Sequence, residues 1–516
     1  MLFTSYQFLL LFLPAAIGAY RLFGGGTIIR CITLTLLSFI FYASWDWRFL
    51  ALLGGSILVN YGLGVRLQQL VSYGRTRRAD LYIVAGVALN LLVIGVFKYA
   101  YFAVSNVNAL AGTEFNVGHI ILPLGISFFT FEQIGFLIDL RRGHPYQLEP
   151  LRYAVFVAFF PRLVAGPILR YGEIVPQLDR TVDGSDFKSD LAVGLSIFAI
   201  GLAKKAFLAD GISPFVAPQF NAAALGGNLD FFMAWGGALA YACQLYFDFS
   251  GYSDMAIGSA RCFGIRFPEN FNSPYKSANI IEFWRRWHIT LSRFLRDYLY
   301  IPLGGNRRGK PRRYMNLLAT MILGGLWHGA NWTFIAWGAL HGIFLIVNHA
   351  WDAAARHCRP LHAFRASRIG RGFGCTLTFL AVVVAWVFFR APNFHAAFAF
   401  LGSMAGRHGA ELPAVIAQQL HPLAPLLVEL DLRIGGSGTQ FVEIWLWVIF
   451  LLTIAFIAPN TQEIFARAHP TLEHPARPWR RIRWSGSPAS AVATGTIAFL
   501  GVLSITRAGV FLYWQF

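Results

Sequence analysis

The chain has 516 residues, of which 56% are hydrophobic, 16% aromatic and 13% charged. Globular chains carry about 25% charged residues, so this composition excludes an ordinary soluble fold and implies an integral membrane protein. The formal net charge is +18. Its basic residues lie in short loops between apolar runs, as the positive-inside rule requires, which points to a lipid bilayer and away from nucleic acid.

A spanning helix needs about 20 mostly apolar residues. Candidate runs open the chain at 3–20, 31–45, 49–65 and 81–97. The segment Met1 to Gln7 has no basic residue and no soluble domain follows, so the first run reads as a retained helix rather than a signal peptide. Arg21 and Arg30 follow the first run, and Arg66, Arg75, Arg77 and Arg78 the third. Both loops are therefore expected in the cytoplasm. The run 119–138 has Pro123 and Gly125 near its start and Glu132 inside it. The segment 151–170 contains Pro161, Arg162, Gly166 and Pro167. Broken backbone at membrane depth survives only where protein buries it or it lines a wet cavity, so this piece reads as re-entrant, with Gly166 lining the cavity.

Further spans are expected at 191–208 and 230–262. The latter carries Asp248 and Asp254, which must face protein rather than lipid. Their i, i+6 spacing puts them on different faces, so each is expected to orient a separate partner or to pair with Arg162 or Arg285. The region 279–302 is amphipathic and too charged to face lipid. After it, the basic stretches 307–313 and 356–371 both read as cytoplasmic. Between them a helical hairpin is expected, with arms at 315–327 and 332–350. A first arm of that length gives about 20 Å of helix, too short to cross, which leaves His328 at a turn buried in the membrane. Spans at 375–390, 441–458 and 487–508 complete the chain. The loop 409–440 is expected outside and 466–484 inside.

The predicted fold is an all-α integral membrane protein of about 11 transmembrane helices plus re-entrant and amphipathic helices. It forms one polytopic unit over 1–516, with a motif-bearing catalytic core at 119–350 and divergent C-terminal helices at 391–516.

The chemistry centres on two histidines. His328 lies in Gly324-Gly325-Leu326-Trp327-His328-Gly329-Ala330-Asn331. An ionisable residue inside the membrane is costly and marks a functional site by default. An imidazole can act there as a general base on an acceptor hydroxyl, or it can tie two helices together. His288, in Trp284-Arg285-Arg286-Trp287-His288, has the same two readings. The basic loop 307–313 is suited either to donor phosphates or to topology signalling alone. The five cysteines have no paired spacing, so neither a disulfide framework nor a zinc site is expected. No phosphate-binding, dinucleotide, H-E-x-x-H or G-x-S-x-G motif occurs.

Several stretches resemble the membrane-bound O-acyltransferases, in particular their bacterial alginate O-acetylation branch. They are Ile121 to Phe128, Ala165-Gly166-Pro167, Gln244 to Gly258, Glu269-Asn270-Phe271-Asn272, Glu282 to Ile289, Arg296 to Ile301 and Gly324 to Asn331. The resemblance runs from Met1 to about Phe389 and is weak from Pro392 onward. It implies a helical scaffold with a funnel from each membrane face, meeting near a catalytic His328 and a second active-site histidine, His288. Trp327, Asn331, Asp248, Asp254, Arg285, Asn270, Asn272 and Gly166 are the expected supporting residues. It implies no metal and no tightly bound cofactor.

The substrate would be an acetyl donor, acetyl-CoA or an acyl carrier, used from the cytoplasm. The acyl group would pass to an exported polysaccharide through a periplasmic partner of the SGNH type, in a bacterial inner membrane. Alternatives are a polytopic transporter or flippase with histidine proton relays, and D-alanyl or peptidoglycan acyl transfer within the same family. Transporters often carry internal repeats, and none is visible. The hairpin topology is directly testable. In a cysteine-free background, Lys310→Cys and His362→Cys should label only from the cytoplasm, and periplasmic labelling of either would break the hairpin assignment.

Overall fold

A computed structural model describes every residue except 24, 119, 165, 181–183, 420–431, 436–437, 474–481, 506–508, 510–511 and 513–516. The start of the run expected at 119–138, Ala165, the end of the run at 487–508 and parts of the loops 409–440 and 466–484 lie outside the described residues.

The described chain is almost wholly helical; a parallel pair of three-residue strands, Ala410–Leu412 and Leu432–Ile434, is its only sheet among those residues. Seven helices among the described residues are long and apolar enough to cross a membrane: Thr27–Asp46, Arg48–Ser72, Thr76–Ala111, Asp186–Ala224, Trp332–His357, Arg368–Arg390 and Gly438–Ile457. Shorter apolar helices occupy Gln7–Phe23, Phe394–Met404 and Pro488–Leu503. The runs expected at 119–138, 230–262 and 315–327 are helical too, as Ile126–Arg141, Phe231–Arg261 and Gly309–His328.

At the centre is the Phe231–Arg261 helix, buried almost all round from Gly236 to its end. A helix without an exposed face belongs in a core. It packs on the helices Gly184–Ala203, Gly438–Ile457 and Arg368–Arg390. Its two carboxylates do not pair with Arg162 or Arg285. Asp248 meets Lys205 Nζ at 2.7 Å and Asp254 meets Lys204 Nζ at 2.6 Å. Those lysines are adjacent in a π-helical turn, Lys204–Ala209. Arg162 is occupied by Glu132 in a buried ion pair, and Arg285 is exposed. Pairing is what makes interior charge tolerable, since an uncompensated buried charge is strongly destabilising.

The hairpin exists, with a longer first arm than the apolar run indicates. That arm is Gly309–His328, 20 residues, and the second is Trp332–His357. The end of the basic stretch folds as the first turn of the helix, where Pro311 is tolerated because the first-turn N–H groups have no helical partner. The helix is thus about 30 Å long, so the shortness argument fails while His328 remains at the turn. The arms cross closely. A Cβ on Gly325 would lie 2.2 Å from the Phe334 carbonyl oxygen, and one on Gly338 2.2 Å from that of Met321. Small residues serve this way wherever membrane helices pack backbone to backbone.

The amphipathic region is not one helix. It breaks into Ile280–Arg286 and Ile289–Leu295, with His288 in the left-handed region at φ 42°. The loop at 270–272 causes the break by pairing with it: Ile289 N–H donates to the Asn270 carbonyl at 3.0 Å and Asn272 N–H to the Arg286 carbonyl at 2.9 Å.

The broken segment before it is buried, as its prolines demand. Its backbone is satisfied by side chains. Leu169 N–H donates to Glu132 Oε1 at 2.9 Å and Ile168 N–H to Thr290 Oγ1 at 3.0 Å. Gly166 lies against Arg162, where an added Cβ would sit 2.6 Å from Arg162 Cα. Gly166→Leu should therefore displace the Arg162 backbone and cost about 1–3 kcal/mol as overpacking. The expected outcome is an inserted protein with reduced thermal stability and activity; unchanged melting and turnover would show that this segment tolerates bulk.

Candidate active site

His328 is the last residue of its helix and is 4% exposed. The final carbonyls of a helix have no partners within it, and in a buried setting something must supply them. Here the partners come from the Thr76–Ala111 helix. Lys98 Nζ donates to the carbonyls of Trp327 at 2.6 Å and His328 at 2.9 Å. Tyr99 Oη donates to that of Leu326 at 2.7 Å. Lys98 and Tyr99 are consecutive and lie in a π-helical turn, Gly95–Tyr99. Two turns further on, Asn106 Oδ1 accepts from the Trp332 indole at 2.8 Å, which fixes the start of the returning arm.

His288 is fully buried. Its Nδ1 lies 3.1 Å from Asn270 Oδ1. That oxygen also accepts from the Thr290 hydroxyl at 2.9 Å, while Asn270 Nδ2 donates to Ser253 Oγ at 3.0 Å. The surrounding bonds orient the amide, so Oδ1 faces His288 and the Nδ1 must carry the proton. Nε2 is then the acceptor nitrogen. Both histidines lie against the Trp327 indole, His328 with ring centroids 5.0 Å apart and His288 at 6.4 Å. Trp327 is itself stacked on Phe131 at 5.1 Å and has Lys98 over its ring at 5.9 Å.

The structure thus gathers His328, His288, Trp327 and Asn270 at one place. The other expected residues lie elsewhere or serve the frame. Asn331 caps the returning arm, accepting from Thr333 N–H at 3.1 Å, and donates to the Pro392 carbonyl at 2.9 Å. Asn272 accepts from Asn460 at 3.1 Å. Asp248 and Asp254 hold their lysines, with Thr461 Oγ1 also donating to Asp254 at 2.6 Å. Gly166 packs on Arg162, two residues before Ile168, whose N–H donates to Thr290. Arg285 is exposed and makes no ion pair among the described residues. No group of three or more metal-ligating side chains occurs among them either.

Two features were not found from the sequence. Lys98 lies just beyond the apolar run 81–97, and nothing local signals a partner 229 residues away. His341 is fully buried on the returning arm. The cost of an imidazole in hydrocarbon, which singled out His328, applies to it equally.

The described chain is a multi-pass helical membrane protein with two buried histidines, His328 at a hairpin turn and His288 at a helix break, on one indole. The model of the MBOAT, membrane-bound O-acyltransferase, family matches residues 140–389. The chain is 46% identical over 411 residues to the probable alginate O-acetylase of Azotobacter vinelandii, covering 78% of each chain. It is 40% identical over 519 residues to that of Pseudomonas putida, covering 99% of this chain and 96% of the relative, so that likeness extends through the C-terminal helices. It is also 41% identical over 441 residues to the peptidoglycan O-acetyltransferase of Helicobacter pylori, covering 80% of this chain and 81% of that one. The chain belongs to the membrane-bound O-acyltransferase family and is an O-acyltransferase of its alginate O-acetylation branch.

Lys98 bonds the backbone that carries His328, so it should act as a positioning residue. Lys98→Met leaves two carbonyls without their cation, and small displacements of a reacting group can cost about 10²-fold in rate. Turnover per folded molecule should fall by roughly 10- to 100-fold, with Lys98→Arg retaining most of it. Equal loss in both variants would argue against this cap.

Proposed function

We propose that the protein is an inner-membrane O-acetyltransferase for an exported polysaccharide, with His328 as general base and His288 as positioning partner. The observation that carries it is the convergence of both imidazoles on one buried indole at the end of a capped helix. The names of the relatives in Azotobacter and Pseudomonas favour an acetyl group and an alginate-like acceptor. The Helicobacter relative favours a second glycan, peptidoglycan.

In the proposed reaction an acetyl thioester, carried by coenzyme A or an acyl carrier, comes from the cytoplasmic side. His328 takes the proton of the acceptor hydroxyl as its oxygen attacks the acyl carbon. The C–O bond forms and the C–S bond breaks. The thiolate leaves and takes the proton from His328, which returns to neutral imidazole. No metal or tightly bound cofactor enters this scheme. His288, with Nδ1–H held by Asn270, presents an acceptor at Nε2. That arrangement suits holding a hydroxyl or amide hydrogen better than protonating the leaving thiol. The acceptor is either the glycan itself or a periplasmic partner protein of the SGNH type that passes the acetyl group on. The hydroxyl acceptor and the proton balance are the same in both routes.

A positioned acid–base group contributes about 10²–10⁴ in rate. His328→Ala should lose that factor per folded molecule, measured as acetyl transfer from a labelled thioester, and should abolish glycan O-acetylation in cells at near-normal membrane abundance. His288→Ala should raise KM more than His328→Ala does. An unstable but fully active His328→Ala protein would sink the assignment. Chemical analysis of the glycan that loses its acetyl groups identifies the acceptor.

A further inference from the structure

Four arginines gather around the end of the central helix. Arg261 is its last residue, and Arg266 follows in the loop that leads to Asn270. Arg180 stands just after the turn Val175–Asp179, and Arg30 lies in the Thr27–Asp46 helix. Hydrogen bonds hold these segments together. Arg30 Nη1 donates to the Arg180 carbonyl at 2.5 Å. Gln177, three residues before Arg180, accepts from the Arg266 N–H at 2.9 Å and donates to the Arg266 carbonyl at 2.9 Å. Tyr20 Oη donates to the Phe263 carbonyl at 3.1 Å, which brings in the end of the Leu13–Phe23 helix.

The charges around this place do not balance. Arg261 meets Asp190 at 2.6 Å, whereas Arg30, Arg180 and Arg266 make no ion pair among the described residues. Asp186, which is exposed, is the other carboxylate within electrostatic reach of Arg261, and Asp179 is taken by Arg152. Arg180 and Arg266 lie within the same reach. Burial draws the Arg266 guanidinium below its ordinary range, and the Arg180 charge adds to that against the pull of Asp190. Arg30 and Arg261 are 8% and 4% exposed. The Nε of each, and that of Arg266, is buried without a hydrogen bond among the described residues. An arginine does not shed its proton inside a protein, so four positive charges beside two carboxylates repel one another unless an anion joins them. Phosphate is the matching anion, because its oxygens take the paired N–H groups of a guanidinium side by side.

The walls add a second requirement. Next to Arg30 on its helix, Ile28 and Ile29 are exposed, and so are Leu22 and Phe23 at the end of the preceding one. The site therefore opens onto an apolar surface at the end of the bundle that the positive-inside rule places in the cytoplasm. A ligand that brings both phosphate and hydrocarbon is a phospholipid, and basic pockets between membrane helices on that side take anionic headgroups.

We propose that Arg30, Arg180, Arg261 and Arg266 form a site for the phosphate of an anionic phospholipid of the cytoplasmic leaflet, its acyl chains lying along Ile28 and Ile29. Bound lipid ties the ends of two N-terminal helices to the loop of Asn270, four residues after Arg266, and Asn270 is the residue that orients His288.

The test uses the full chain in detergent, with lipid binding read by native mass spectrometry and by thermal unfolding. The probes are phosphatidylglycerol, phosphatidylcholine and inorganic phosphate. The wild type should retain phosphatidylglycerol in preference to phosphatidylcholine. Arg266→Gln should weaken phosphatidylglycerol binding about fivefold, the worth of one arginine beside an anionic lipid surface, and leave phosphatidylcholine binding unchanged. Should Arg266→Gln not fold, Arg180→Gln, at an exposed side chain, should give the same loss. Arg312→Gln, in the basic loop 307–313, should give none. An equal loss in Arg312→Gln would show a general attraction of the basic face and overturn the site, as would unchanged binding in Arg266→Gln or Arg180→Gln. Inorganic phosphate that displaces phosphatidylglycerol, or stabilises the protein as much, would make the ligand a soluble anion and overturn the lipid assignment. Both readouts measure binding alone, so they stand whatever acyl group the protein transfers.

Discussion

A helix that ends in a medium without water must find partners for its last carbonyls. Much of this site follows from how the chain meets that need at His328. The Gly309–His328 helix ends where its glycines let the returning arm cross at backbone distance. Its terminal carbonyls then face the Thr76–Ala111 helix, where Lys98 and Tyr99 take three of them in succession. Consecutive residues of a regular α-helix point about 100° apart. The π turn at Gly95–Tyr99 is where both side chains reach the same helix end, and such turns recur at functional sites. A cation at a helix C-terminus also meets the negative end of the macrodipole. The His328 side chain thus projects from backbone held at its carbonyls.

The same constraint explains the second histidine. His288 sits at positive φ, a conformation that costs a non-glycine residue on the order of 1–3 kcal/mol and persists only where its surroundings impose it. The surroundings here are a continuous set of bonds. Glu132 takes the Arg162 charge and the Leu169 N–H, Thr290 takes the Ile168 N–H and gives its proton to Asn270, and Asn270 holds His288. The broken segment at 159–170 and the broken helix at 287–288 are two ends of one arrangement. Each break frees backbone groups, and the side chains that satisfy them also orient the imidazole.

Much of this was legible in the sequence. Apolar runs of spanning length located most helices, and the improbability of an imidazole in hydrocarbon located His328. The prolines at 161 and 167 announced broken backbone, and the broken backbone is there. What was illegible depends on distance or on competition for partners. Lys98 has meaning only beside carbonyls more than two hundred residues away. Asp248 and Asp254 do hold separate partners, as one reading had it, but the alternative pairing with Arg162 or Arg285 fails, because Glu132 already holds Arg162 and Arg285 is exposed. The first arm of the hairpin looked short because hydropathy stops at the basic cluster, whereas helix geometry does not. The break at His288 was hidden because a loop from elsewhere imposes it.

His341 shows how far the cost argument reaches when it is applied evenly. Two histidines were singled out by their setting, yet the third is as deeply buried and lies on the hairpin that carries His328. The difference lies in partners. His288 has an amide oxygen that fixes its tautomer, whereas His341 has aromatic faces on several sides and no hydrogen bond among the described residues. Aromatic neighbours supply packing but cannot satisfy a ring nitrogen. A structural histidine tying helices together would show a bond across the interface, and replacing His341 by a hydrophobe of similar volume would otherwise remove a desolvation cost of about 1–3 kcal/mol. Its two ring nitrogens stand one helical turn from Trp337, the residue that meets the His328 ring.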